Sequence, residues 1–441
     1  MDAEPHGRDG MARQGSKIMA AATTALVSLG AATAAIAETE LVYWSFWNEG
    51  EPQANVIQSW MDDYSALNPD VSFKVFWNGR QNQTTVRNAL AGGTQIDIMD
   101  ADMDALSGGL AAEGLSVGWQ SVLEGPSFDG GHSFAEDFHP GLLAQAEVDG
   151  WTGQIPYAFY TVQIFYNKAH FAEAGMETPP ETWEGFVDVL RNVRDNGYNP
   201  LAVESDITFY NVHWFNYLIA RIAGPDFLMR AAEDKTGETW RDPAVRQALD
   251  LERALWDEGL IPDESRGYQW PAAQTTLAYE ESSAALVGSW LPIELADLVD
   301  DDFEWGAMKF PMVEGGRGNI DDVTAIGVSF VVLDGTEHRD AAQDFVRFTI
   351  SEEQQKKMAE ESRIGVANPR VSWVPELAAS EQAIADANLI LAENLGIKVA
   401  YPDYSSNIFE ATHNRFFLGD MTADEFIEEM VTRTRQYWEN K

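Results

Sequence analysis

The chain has 441 residues, and its 71 acidic against 29 basic side chains give a formal net charge of −42. A surface of that sign repels phosphate backbones, which argues against nucleic-acid binding. The absence of cysteine excludes disulfides, thiolate nucleophiles, Cys-ligated metals and a lipid anchor on an N-terminal Cys.

The acids are spread along the whole chain, which reads as a solvated, self-repelling surface. An apolar content of 45% suffices for real cores, and the length favours two lobes over one.

Arg13 and Lys17, counted from Met1 or from the internal Met11, precede the uncharged run "IMAAATTALVSLGAATAAIA". Ala35-Ile36-Ala37 supplies a small-x-small pattern, so an export signal cleaved after Ala37 is expected. The run is weakly hydrophobic and has no basic stop-transfer flank, which argues against a membrane anchor.

"LVYWSF" (41–46) reads as a buried strand, and "NVIQSWMDDYSAL" sets Val56, Ile57, Trp60, Met61, Tyr64 and Leu67 on one helical face. "VSFKVFW" (71–77) alternates as a strand, "TTVRNALAGG" reads as a short helix, and "QIDIM" (95–99) as a third strand. That order implies a parallel α/β sheet, with ligands outside the carboxyl ends of its strands. Those ends are "WNEGE" (47–51), "NGRQN" (78–82) and "DADMD" (100–104).

"GQIPYAFYTVQIFYNK" (153–168) is extended and aromatic. A short helix over 169–174 then stops at Gly175, Pro179-Pro180 stiffen the link, and Thr182 caps the next helix. Farther on, "ALDLERALWDEGL" is amphipathic, "SAALVGSW" (283–290) and "GVSFVVL" (327–333) read as strands, and "RDAAQDFVRFTI" as a helix. Ser351 with Gln354, and Thr422 with Glu425, have capping-box spacing.

Several stretches, in this order, resemble the extracellular solute-binding proteins of ABC importers, in the sugar-binding family of the maltose-binding type. They are Trp44-x-x-Trp47, "YSALNPDVSFKV", "AGGTQIDIM", "IPY…FYNKAHFAEAGMETPPETWEGF", "ALVGSW" and "AAQDFVRFTISEEQQ". The resemblance implies an α/β, two-lobed periplasmic-binding-protein fold (type II-like) with a ligand clasped between the lobes. Crossings are expected near Ile155–Tyr160, Gly306–Pro311 and Asp340–Phe348. Residues 38–155 plus 306–345 would then form the N-terminal lobe, and 156–305 plus 346–441 the C-terminal lobe. It further implies a monomeric periplasmic protein that hands a sugar to a permease and ATPase, with no cofactor and no catalysis. A polyol, glycerol phosphate or amine ligand is an alternative; so is a secreted glycoside hydrolase, which needs only two suitably spaced carboxylates.

Sugars offer hydroxyls and an apolar ring face, so a site needs flat aromatics and planar polar groups. Trp290, in the Gly288-Ser289-Trp290 loop, matches the family's stacking ring, and Tyr160 falls where the family carries a contact beside the hinge. Strand ends add Trp47, Asn48, Glu49, Asn78, Arg80 and Asp102. Asn211 and Trp214 are expected at a strand end of the second lobe, and Arg363 beside a loop bordering the cleft. Trp119, Trp240 and Trp373 read as packing. "DADMDALSG" lacks the glycine and glutamate of an EF-hand, the seven His form no metal-spaced pair, and neither phosphate-loop nor serine-hydrolase motifs occur.

Overall fold

The computed structural model describes residues 39–148, 150–300 and 302–441; the expected signal sequence lies outside them. In β1 (Thr39–Ser45) alternate residues Leu41, Tyr43 and Ser45 are buried. Pro52 opens α1 (Pro52–Leu67), where a missing N–H costs nothing, and Asn68-Pro69 ends it. Val56, Ile57, Trp60, Met61 and Tyr64 are buried on one face of α1, each worth roughly 1.5–3 kcal/mol. β2 (Val71–Trp77), α2 (Asn82–Ala91) and β3 (Ile98–Asp102) follow, with β1 paired in parallel between β2 and β3. The third strand thus starts later than expected. Asp97 precedes it, and its Oδ2 accepts a hydrogen bond from the Val42 N–H (2.7 Å).

The next elements are β4 (Ile155–Asn167), α3 (Trp183–Asp195), β5 (Asn199–Leu201), α4 (Thr208–Ala223), β6 (Ser282–Gly288), β7 (Trp305–Met308) and β8 (Val323–Val332). Then come α5 (Arg339–Thr349), α6 (Glu352–Ser362) and, last, α7 (Ala423–Glu439). The sheet order is β2-β1-β3-β8-β4-β6-β5, and β7 also pairs with β4. β8 runs antiparallel to both β3 and β4, with a register shift between Val328 and Ser329.

Two large hydrophobic cores, with two smaller clusters beside them, pack on these central strands among the described residues. The first gathers Leu41, Trp60, Ile155, Phe159, Phe330 and Phe345; the second gathers Val162, Ile164, Leu190, Trp214, Phe310 and Met430. β4 belongs to both: Ile155, Tyr157, Ala158 and Phe159 lie in the first core, and Val162, Ile164 and Tyr166 in the second. Such a strand has apolar neighbours on both faces, and 12 of its 13 residues are buried.

Three local expectations differ from the structure. Phe345, Val346 and Phe348 of α5, and residues onward to Ile384, pack in the first core; the expected crossing at Asp340–Phe348 is not there. Phe345 contacts Phe73 (ring centroids 4.6 Å) and Tyr64 (5.4 Å), which ties α5 to β2 and α1. Met308, Phe310 and Val313, expected in the first lobe, lie in the second core. Finally, Ser351 makes no capping box, because its hydroxyl donates back to the Phe348 carbonyl (2.7 Å), whereas the Thr422–Glu425 box forms.

Candidate functional site

Where β4 passes from one core to the other beside β8, a cleft of about 500 Å³ opens, within the usual range for small-molecule sites. Tyr160 of β4 pairs with Ile326 of β8, and these two with Val328 line the cleft at the strands.

The first wall comes from the ends of β1, β2 and β3. Trp47 is 98% shielded and reaches the cleft with little of its surface. Its Nε1 donates to the Tyr157 hydroxyl (2.7 Å), which donates to Asp100 Oδ2 (2.6 Å). Asp100 Oδ1 accepts from the Phe46 N–H (2.8 Å). Burial pushes the Asp100 carboxyl up to about 6, against the lowering effect of these hydrogen bonds. The Arg80 guanidinium lies over the rings of Phe46 (4.5 Å) and Trp47 (4.7 Å) and pairs with Glu51 (2.9 Å). Asp102, the last residue of β3, caps the following helical turn by accepting from the Ala105 N–H (3.1 Å).

The second wall is aromatic. Trp290 follows β6, with Tyr210 stacked at 5.6 Å, Tyr160 edge-on at 5.2 Å and Phe209 tilted at 6.2 Å. Its Nε1 donates to the Tyr210 hydroxyl (3.0 Å), which fixes the pair while leaving the ring flanks toward the cleft. A Cβ on Gly288 would collide with the Trp290 ring, so only glycine lets that ring fold back over the strand. One helical turn beyond Trp290, Glu294 opens into the same cleft.

The third side is a charged cluster. Lys398 Nζ donates to Glu393 Oε2 (2.6 Å), and the Glu393 N–H donates to Asp104 Oδ2 (3.1 Å). Burial raises the Asp104 and Glu393 carboxyls above the usual range. Burial works against the charge on Lys398, but Asp102, Glu393 and Asp104 more than offset it and raise its pKa. Glu410, also lining the cleft, accepts from Asn394 Nδ2 (2.6 Å).

Trp47, Arg80, Asp102, Tyr160 and Trp290, out of the eleven expected positions, come together around this cleft. The other six are not among its lining residues. Asn48 and Glu49 are exposed in the loop after β1, where Asn48 donates to Glu51 (2.6 Å). Asn78 donates to Asn82 (2.8 Å). Asn211 and Trp214 lie within α4, not at a strand end, and both are buried. Asn211 donates to the Glu204 carbonyl (2.9 Å) and to Asn414 (2.7 Å), while Trp214 packs on Phe186 and Trp183. Arg363 pairs with Glu376. Trp119, Trp240 and Trp373 are buried.

The sequence reading missed Phe209, Tyr210, Glu294, Glu393, Lys398 and Glu410. Glu294 carried a usable signal: four residues after Trp290, it falls on the same side of a helical turn. The segment 393–410 carried none. Short helical turns and the left-handed backbone of Asn394 and Leu395 erase any period. Among the described residues no group of three or more His, Asp or Glu is placed to hold a metal ion, and no helix is long and apolar enough to cross a membrane.

Two cores joined by a shared strand beside an aromatic cleft define a two-lobed solute-binding architecture. The chain belongs to the bacterial extracellular solute-binding protein family, whose model matches residues 47–356. It is 25% identical over 199 residues to the sn-glycerol-3-phosphate-binding periplasmic protein UgpB of Brucella suis, covering 43% of each chain. It is 23% identical over 198 residues to the multiple sugar-binding protein of Streptococcus mutans, covering 44% of this chain and 46% of that one. These alignments thus span less than half the length of the relatives. In fold it is similar to a sugar transporter from Bacillus licheniformis solved in complex with stachyose, with a TM-score of 0.67 and 16% identity over 90% of this chain and 99% of that chain.

Proposed function

We propose that this chain is the exported binding component of an ABC importer, that it closes on a neutral mono- or oligosaccharide, and that it delivers the sugar to a permease and ATPase. The observation that carries the reading is the Trp290–Tyr210–Phe209–Tyr160 wall, which offers flat apolar rings to a sugar face across from carboxylates that accept hydroxyl hydrogens. Trp47, Arg80, Asp102, Tyr160 and Trp290 are the expected residues retained as ligand contacts, joined by Glu294. The two halves would approach about β4 and β8, exclude water and strengthen each contact. Micromolar affinity, roughly 8 kcal/mol, is within reach of two stacked rings and a few hydroxyl contacts.

The Brucella relatives motivate a second reading, a glycerol phosphate ligand. The cleft's charges weigh against it. Asp102, Glu294, Glu393 and Glu410 face Arg80 and Lys398, and both cations are already paired to Glu51 and Glu393. A dianionic phosphate would meet a net negative surface.

Calorimetry against raffinose, stachyose, chitin oligosaccharides and sn-glycerol 3-phosphate separates the two readings. Saccharide binding with compaction in solution scattering is the expected result. Binding of the phosphate ester alone would replace the proposal, and new reducing ends in the mixture would turn the chain into a hydrolase. The export signal cleaved after Ala37 is tested by N-terminal sequencing of secreted material.

A further inference from the structure

Behind the aromatic wall lies a second, much smaller cavity of about 20 Å³, lined among others by Glu204, Tyr210, Asn211 and Gln274. That volume holds one water. Glu204 and Gln274 are both 97% shielded, and each has a side-chain oxygen without a protein partner, Glu204 Oε2 and Gln274 Oε1. Two buried acceptors with no donor are costly to leave unsatisfied. One water answers both, since it has two hydrogens to give.

The same two residues connect to the ligand cleft through Glu294. The Gln274 N–H donates to Glu204 Oε1 (3.0 Å), and Gln274 Nε2 donates to Glu294 Oε2 (2.7 Å). The hydrogen bonds of the described residues leave Glu294 Oε1 directed to no protein donor, and Glu294 lines the large cleft. Tyr210 lines both cavities.

Resting on the saccharide reading of the cleft, we infer that Glu294 is its specificity-determining residue, accepting ligand hydroxyls and turning away phosphate esters, and that Gln274 positions it through a single water shared with Glu204. Gln274 is suited to the task. Its amide nitrogen fixes one carboxylate oxygen, and its own oxygen is held from behind. Glu294 thereby presents a fixed acceptor to the cleft that Trp290 also lines.

The charge state of Glu294 supports the assignment. Crowding by the surrounding protein raises its carboxyl above the usual range; the Gln274 hydrogen bond and Arg80 pull it back, and Glu204 pushes it up. Tyr160 and Tyr210 also face it, with Asp102, Glu393, Lys398 and Glu410 elsewhere around the cleft. Saccharide affinity should fall as pH drops through the Glu294 titration, because the protonated acid loses acceptor capacity.

The test uses the full chain. A ligand-free crystal structure at high resolution should show one ordered water bridging Glu204 and Gln274; a dry cavity overturns the relay. In calorimetry with raffinose, stachyose and sn-glycerol 3-phosphate, Glu294→Gln should weaken the bound saccharide about 10-fold or more, the scale of a hydrogen bond to a charged group. The phosphate ester should gain relative to it. Gln274→Leu, which removes the donor, should move the acid limb of the affinity profile to higher pH. Gln274→Glu, which keeps the size, should move it further. Unchanged affinity in Glu294→Gln, or an acid limb unmoved in both Gln274 variants, refutes the assignment. If the unaltered chain binds no saccharide, the cleft reading fails on its own. The bridging water and the titration of Glu294 followed by carboxyl NMR still decide the positioning role.

Discussion

The two walls of the cleft are both rich in aromatic and charged side chains, yet they differ in what remains free. On the first wall the Trp47 indole N–H is engaged by Tyr157, and the Phe46 and Trp47 rings carry the Arg80 guanidinium over them. On the second wall Trp290 is braced by Tyr210 and Tyr160, and Glu294 keeps an oxygen for the cleft. Four aromatic residues of the second wall line the cleft against two of the first, but the count alone does not say which rings are free to hold a ligand. The hydrogen bonds and ring faces still unspent set them apart, and on that measure the second wall grips while the first holds its shape.

The sharpest way to break this contrast is at the charged side of the cleft. Lys398→Met leaves Glu393 and Asp104 buried without their counter-ion, a loss of about 3–5 kcal/mol for breaking such a pair. Denaturant unfolding at neutral pH measures it. The deficit should shrink as pH falls, because those carboxyls, raised above the ordinary range by burial, take up protons. Next in size, Trp290→Ala should weaken ligand binding about 10-fold or more, from a stacking loss of roughly 1–3 kcal/mol, measured by calorimetry. Unchanged affinity would move the grip to the first wall.

The Asp100 carboxyl gives a third, pH-dependent test. Its folded value of about 6 lies above the ordinary 3.8, so the native state holds its proton longer than the unfolded chain does. This contribution is present below about pH 4 and is lost as pH rises toward 6, on the order of 3 kcal/mol at most. Asp100→Asn should remove that slope from the difference between variant and parent in a series of thermal melts. The smallest effect is expected at Arg80→Ala. Its exposed pair with Glu51 contributes about 0–1 kcal/mol, and ligand affinity should change less than for Trp290→Ala. The reverse ranking would show that Arg80 yields its place to the ligand.

Much of the fold was legible because local physics and tertiary packing agree there. Pro52 and Asn68-Pro69 bracket α1, its apolar stripe is the buried face, and Thr182 and Thr422 cap the helices they precede. The site was legible where a strand ends in an aromatic or charged residue, as at Trp47, Asp102 and Tyr160. It was illegible in two ways. Asn211 and Trp214 sit in α4, a helix buried on nearly every side, so its continuous apolar run hides the period that would have shown a helix. Glu393, Lys398 and Glu410 come from a segment of single turns, and only their meeting with Asp102 and Asp104, some 290 positions earlier, gives them meaning.

The way the chain threads its cores bears on how the protein is made. The first core takes side chains from Leu41 through Ile384, and the second takes them from Val162 through Val431. Emerging from the ribosome, the early strands must wait for β8, α5 and α6 before their half is complete, and by then most of the other half has also been synthesised. Neither half can be finished and set aside while the other is under construction, so a nascent chain stays open, and in need of protection from aggregation, until translation is nearly over.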